Sequence, residues 1–424
     1  MPSSLSAPGW LGDDVVRVER CKLGGLWIQG LLLLGLPWNH NLGWLHTTAF
    51  LVAAGALWNR RRIKHLLQPA MLFYGVVLVA SLMTSLYPVL SLKFIFWAVL
   101  IPLLIFQYIS QASSQVSRRH MSFIIMTSLA LPCVVMAVAH AGINLQVAGH
   151  GHWGLYAGPG LVSTFLVFAM PLQVVTVLAE RGVMRYAAGL ACLLSAYAAF
   201  LTANRAFWLA WLVIMAWMLV PVIWSRAALR IGLVMGVAIM AVLALGVIAH
   251  QTKERSGVSV EQAAHQDSRP QIWHYWLAQI PSSPWLGHGY GKRVQQAYFL
   301  KEHGLAKMPI SCSELQCAMG AHAHNILIDN TVQTGVLGLL AWLYLLWQGV
   351  YDQNRFSQNQ AAQSYARAGQ ALVLAMIVKN FTDDFMDFEG SLMFWVYWGV
   401  LWARTRAMSG EEVAVLANSG RETV

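Results

Sequence analysis

Two histidines head a long apolar stretch in AHAHNILIDNTVQTGVLG, and imidazole is the side chain best suited to move a proton near neutral pH. His324 stands directly before Asn325, with His322 two positions earlier. Either ring could take a proton from an attacking hydroxyl. Residues two apart project to different sides, so a regular helix cannot turn both rings toward one site. A pair at this spacing could ligate metal from extended backbone, yet no third and fourth ligands follow at a suitable spacing. The expectation is a general base with no metal and no cofactor.

Arg205 lies in TANRAFWLAWL and Arg269 in HQDSRPQIW. Guanidinium offers a planar fork of donors that matches phosphate oxygens and stays charged at any accessible pH. Arg269 opens a helical pattern with an apolar stripe at Ile272, Trp273, Trp276, Leu277 and Ile280, so free N–H groups add to its pull on an anion. Lys93 and Lys379 sit inside apolar stretches, where a cation is costly and either snorkels or serves a site. The segment TDDFMDFEGS supplies Asp383, Asp384, Asp387 and Glu389, which could orient a histidine, pair with the arginines, bind a cation or simply face water. Cys312 and Cys317 are spaced for a disulfide or for two free thiols, and GHGYG reads as loop geometry.

The elements that position these residues follow from composition. Of 424 residues 57% are apolar and only 11% charged, against roughly 25% in soluble domains. A soluble globular protein is excluded. We read twelve apolar stretches able to cross a bilayer: 24–38, 42–58, 70–87, 89–109, 121–142, 155–179, 184–203, 206–224, 229–249, 325–350, 366–382 and 388–404. The polar N-terminus shows no removable signal. The formal charge of +10 does not point to nucleic acid, because 18 of the 28 Lys and Arg residues fall in alternate connections on one side. The positive-inside rule makes that side cytoplasmic and places both termini there. The expected fold class is all-α: residues 1–424 form a single polytopic membrane domain of about 12 transmembrane helices. Residues 250–324 form a large outer loop with short helices between helices nine and ten. Lys93, Arg205, Arg269, His324 and Lys379 then share the outer face, where a lipid diphosphate carries its charge.

At these residues the chain resembles the O-antigen ligase and polymerase superfamily. The HN motif opening a span reads HNILIDNTVQTGVLG, from His324 to Gly338, and the N-R-A-x-W and S-R-x-x-x-W segments are similar to the two family arginine sites. Because the histidine next to Asn matches, the resemblance favours His324 over His322. It implies a GT-C-like, membrane-embedded, inverting and metal-independent glycosyltransferase in the inner membrane of a Gram-negative bacterium, active at the periplasmic face. The arrangement most resembles the ligase branch of lipopolysaccharide biosynthesis, which moves a glycan from undecaprenyl diphosphate to lipid A-core. Arg205 and Arg269 would hold the donor diphosphate, Lys93 and Lys379 would add contacts, and His324 would be the base.

An O-antigen polymerase or a protein O-oligosaccharyltransferase would use the same donor chemistry. A transporter of lipid-linked sugar is the non-enzyme alternative. It sits poorly with cations gathered at one leaflet, since alternating access needs a site at the midplane.

Overall fold

The computed structural model describes residues 28–36, 43–58, 68–141, 159–202, 204–224, 246, 268–309 and 313–410. Among these residues all regular structure is helical. The first long helices are α1 (Gly43–Trp58), α2 (Gln68–Thr84) and α3 (Pro88–Ile109). They are followed by α4 (Ser114–His140), α5 (Pro159–Ala179), α6 (Val183–Thr202) and α7 (Arg205–Trp224). Short helices α8 (Arg269–Gln279), α9 (Lys292–Glu302) and α10 (Glu314–Met319) come next. The chain continues through α11 (Ile326–Arg355), α12 (Gln360–Asn380) and α13 (Phe388–Ser409).

Among the described residues five helices are long and apolar enough to cross a membrane: α3, α4, α5, α6 and α11. Leu45–Leu57, Pro69–Thr84 and Arg205–Leu219 are shorter apolar helices at three further expected spans. Residues 28–36 are helical within the expected first span, and α12 and α13 occupy the last two. The expected ninth span, 229–249, lies outside the described residues apart from position 246. The protein is therefore a helical membrane protein with several spanning helices.

The centre of the bundle is α13, buried along almost its whole length from Phe388 to Thr405. It packs on α12, α3, α4 and α5. Lipid gives helices little hydrophobic reason to associate, so close fit has to hold them together. Gly349 of α11 lets Trp398 approach so nearly that an added Cβ would lie 2.5 Å from the indole, and Phe106 of α3 packs against Trp395 and Trp398. Pro102 in α3 has no N–H to offer the carbonyl of Ala98, and Ser391 of α13 donates its hydroxyl there at 2.5 Å. A π-helical turn, Ile95–Leu100, precedes this substitution of partners.

A second adjustment shapes the functional end. Helix α11 breaks at Gly335, with φ 70° and ψ −178°, and its freed backbone groups pair with residues 284–289. His288 and Gly289 donate N–H to the carbonyls of Val332 and Gln333, and Val336 N–H donates to Pro284. Broken helices are tolerated at membrane depth only where such partners exist. Gly335 has no alternative, since an added Cβ would fall 2.1 Å from the backbone of Trp285. The GHGYG segment is indeed loop geometry, and its contribution is to clamp the short helices onto α11. Below the clamp Ile272 and Trp276 of α8 pack with Phe299, Ala323 and Val332 in a small second core.

Candidate active site

The histidines stand at the start of α11. Asn325 is the N-cap, its Oδ1 accepting N–H bonds from Leu327 at 2.9 Å and Ile328 at 3.3 Å. The chain reaches that cap through His324 at φ 53°, an uncommon conformation for a residue with a side chain. This turn changes one expectation. Because residues 322–324 are not helical, the two rings lie against each other, centroids 4.0 Å apart and planes tilted by 34°, and both approach Asp383.

His324 Nδ1 lies 2.9 Å from Oδ1 of Asp383. An ionised carboxylate only accepts, so Nδ1 carries the proton and Nε2 is left with its lone pair. Nε2 is buried and, among the described residues, has no hydrogen-bond partner. His322 Nδ1 lies 3.0 Å from Oδ2 of Asp329, and its Nε2 is 4.0 Å from Asp383. Burial opposes the charge on Asp383, but the bond from His324 and the nearby positive groups hold its carboxyl well below the usual range.

Cations ring this pair of dyads. Lys379, in the last turn of α12, is 0% exposed. Its Nζ lies 4.1 Å from the centroid of Phe385 and has no hydrogen-bond partner among the described residues. It is close enough to Asp383 and Arg269 to interact with both charges. Arg269, at the first position of α8, donates Nε to the carbonyl of Thr382 at 2.8 Å, which fastens α8 beside the α12–α13 turn. Lys292, at the start of α9, donates to the Asp384 carbonyl and lies 3.9 Å from that residue's carboxylate. Burial disfavours its charge, but Asp384, Asp387, Asp329 and Asp383 outweigh burial and raise its pKa.

The acids of TDDFMDFEGS divide by task. Asp383 holds His324. Asp384 meets Lys292, and its Oδ1 accepts from Met386 N–H at 2.8 Å. Asp387 is the N-cap of α13, and Glu389 lies in that helix's first turn. Ligand atoms of His322, His324 and Asp383 come within 4.8 Å of one another, as do those of His322, Asp329 and Asp384, so either group has the spacing of a metal site. Lys379 and Lys292 beside them oppose a divalent ion electrostatically.

Arg205 is placed by topology. Glu180, at the foot of α6, bonds Tyr365 near the start of α12, so α6 rises from that end and α7 begins at the opposite one. Trp217 of α7 donates to Gln370 of α12 at 2.8 Å. Counting twelve residues back to Arg205 and twelve forward to Thr382 covers about 18 Å of helix in each case, which sets Arg205 level with the Asp383 turn. Its side chain is exposed. Lys93 is also exposed and stands beside His46, whose ring stacks on Phe388, across the first turn of α13 from the histidines. The structure thus joins His322, His324, Arg269, Lys379, Asp383 and Asp384, sets Arg205 at their level and leaves Lys93 aside. Cys317 is disulfide-bonded, and Cys312 lies outside the described residues.

Sequence reasoning missed Lys292 and Asp329. Asp329 was visible as the one acid within the HNILIDN segment, and Lys292 as the charge closing GHGYGK. Lys292 also borders a narrow cleft with a cavity volume of about 50 Å³, lined by Lys292, Asp384 and Asp387 at the site end and by Leu103, Trp342 and Trp395 deeper in the bundle.

Fold and site together define a helical membrane protein with a buried histidine–aspartate centre among cations at one end. Its likeness to known proteins is more particular. Residues 190–343 match the O-antigen ligase family, a segment holding Arg205, Arg269, both histidines and Asp329 and ending before Lys379 and Asp383. A protein of Rickettsia felis named "Putative polysaccharide ligase" is 25% identical over 172 residues. That match spans 39% of this chain and 39% of the relative, about two fifths of the curated protein's length. The similarity to the O-antigen ligase superfamily read from the HN and arginine motifs is upheld.

Proposed function

We propose that the protein is an O-antigen ligase, which transfers a glycan from undecaprenyl diphosphate to a sugar hydroxyl of lipid A-core. The observation that carries this reading is His324, with Nδ1 fixed on Asp383 and Nε2 buried without a hydrogen-bond partner among the described residues, in a cluster where Lys379 interacts with both Asp383 and Arg269. Nε2 takes the proton of the acceptor hydroxyl while its oxygen attacks the anomeric carbon. A C–O bond forms on one face, the bond to diphosphate breaks on the other, and configuration inverts. Undecaprenyl diphosphate leaves with the bonding electrons, its growing charge met by Arg269, Arg205 and Lys379. Activation is stored in the donor, so the step needs no nucleotide sugar, metal or cofactor.

The cleft supports a lipid-linked substrate, being polar beside the site and apolar deeper in the bundle. This reading carries with it the twelve-span, GT-C-like topology in a Gram-negative inner membrane. Both termini are cytoplasmic, and residues 250–324 form a periplasmic loop between helices nine and ten. Lys93 is a peripheral phosphate contact at most, given its place beside His46.

The test is a transfer assay with purified protein in vesicles, undecaprenyl diphosphate-linked glycan and lipid A-core. A shifted lipid A-core band, undiminished by excess chelator, is expected. Elongation of the lipid-linked glycan instead would assign a polymerase, and activity lost to chelator and restored by a divalent ion would move His322, His324 and Asp383 to a metal site.

A further inference from the structure

Below His322 runs a chain of buried hydrogen bonds that the transfer step does not use. Gly291 N–H donates to Oε1 of Gln333 at 2.9 Å, and Nε2 of Gln333 donates to Oε1 of Gln295 at 2.9 Å. Nε2 of Gln295 then donates to Oδ1 of Asp329 at 2.8 Å. The same Asp329 oxygen accepts Ala323 N–H at 2.8 Å, and Oδ2 faces Nδ1 of His322. Gln295 and Asp329 are each 1% exposed.

The chain has one permitted direction. A backbone N–H only donates, so the amide oxygen of Gln333 must face Gly291 and its nitrogen must face Gln295. The same logic turns the nitrogen of Gln295 toward Asp329. Nδ1 of His322 has two contacts, Oδ2 of Asp329 at 3.0 Å and the backbone N–H of His324 at 3.1 Å. An ionised Asp329 accepts at both oxygens, so Nδ1 keeps its proton and donates to Oδ2, and Nε2 lies on the Asp383 side. The ring of His322 is thereby fixed, and it is the surface on which the ring of His324 lies. His324 sits in left-handed backbone, which its own side chain does not favour. Outside contacts must therefore hold its orientation.

We infer that Gln333, Gln295 and Asp329 are positioning residues that act through His322 to align the base, an inference that rests on His324 being that base. The chain joins two segments far apart in sequence, the Gly291 cap with the first turn of α9 and the first turns of α11. Alignment of the base is thus tied to docking of the short helices on the kinked span. Fully satisfied buried networks of this kind specify one geometry, and an ångström of misplacement at a reacting group can cost about a hundredfold in rate.

The experiment is steady-state transfer by the full chain in vesicles, with undecaprenyl diphosphate-linked glycan and lipid A-core as substrates. Gln295→Met keeps the bulk of the side chain and removes its donor. The expected result is a kcat lower by about ten- to a hundredfold, with KM for both substrates within about twofold of wild type. Activity is normalised to the folded fraction measured by thermal melting in the same vesicles. A wild-type kcat per folded molecule, or a loss confined to KM, overturns the inference. Should Gln295→Met not accumulate, Asp329→Asn is read by the same criteria, since it keeps the volume and withdraws an acceptor from His322. The two levels separate cleanly. Turnover retained in His324→Ala defeats the base and the relay together, whereas its loss alongside an unaffected Gln295→Met defeats only the relay.

Discussion

Each end of the helix bundle holds a buried ionic cluster. At the end away from the histidines, Arg404 Nη2 donates to Oε1 of Glu180 at 2.6 Å, and Tyr365 donates its hydroxyl to the same oxygen at 2.7 Å. Arg118 lies 3.7 Å from the other oxygen, and Arg404 lies over the ring of Tyr365. One acid meets one buried base, and apart from Nε of Arg404 the charged groups are paired. At the other end the chain also assembles acids, histidines and lysines, but among the described residues Nε2 of His324 and Nζ of Lys379 are buried without a hydrogen-bond partner. A buried ammonium group whose hydrogens lack an acceptor costs free energy that the ring of Phe385 and the charge of Asp383 offset only in part. The Glu180 cluster ties α4, α5, α12 and α13 together, whereas the histidine cluster keeps a ring nitrogen and an ammonium group that its own contacts leave without an acceptor, which is what the proposed transfer chemistry requires.

That contrast can be sharpened by substitution at both ends. The largest effect is expected from Asp383→Asn, whose amide can present N–H to Nδ1 of His324 and so move the ring proton to Nε2. Turnover should fall about 10³- to 10⁴-fold with little loss of thermal stability, as measured by transfer rate and melting in parallel. Arg404→Met should do the reverse. Leaving Glu180 buried beside only the exposed Arg118 costs about 3–5 kcal/mol, seen as a lower melting temperature, while the activity of the folded fraction stays at the wild-type level. Lys379→Met should give a smaller and mixed effect. Removing an unpaired buried charge raises the melting temperature, and the loss of one charge-assisted contact weakens donor binding about tenfold in a direct binding titration. A fall in both would mean that Lys379 has a structural partner and that the two ends are not so different.

How much of this was legible in the sequence depends on the range of the contacts. His324 and Arg269 could be picked out because local features define them: an N-cap asparagine next in line and a helix start. Asp383 could be placed near the histidines only as one of four acids. What selects it is the turn between α12 and α13, where Asp387 is consumed as a cap and Asp384 by Lys292. The roles of Asp329, Gln295 and Gln333 depend on bonds across 34 and 38 positions, made possible by the kink at Gly335. No spacing rule encodes those. The histidine pair shows the same limit, since alternation assumed regular backbone and a single left-handed residue brought the rings together. Among the described residues five of the twelve expected stretches are helices long and apolar enough to cross a membrane, because apolar length is a property of the segment itself, whereas α12 and α13 are not among those five and are largely buried in the bundle.

The most direct test is His324→Ala in the reconstituted transfer assay, with binding of undecaprenyl diphosphate-linked glycan measured on the same preparation. Loss of the shifted lipid A-core band with donor affinity near wild type is the expected result. Sustained turnover, or a loss of turnover that merely follows a loss of donor binding, would contradict His324 as the base.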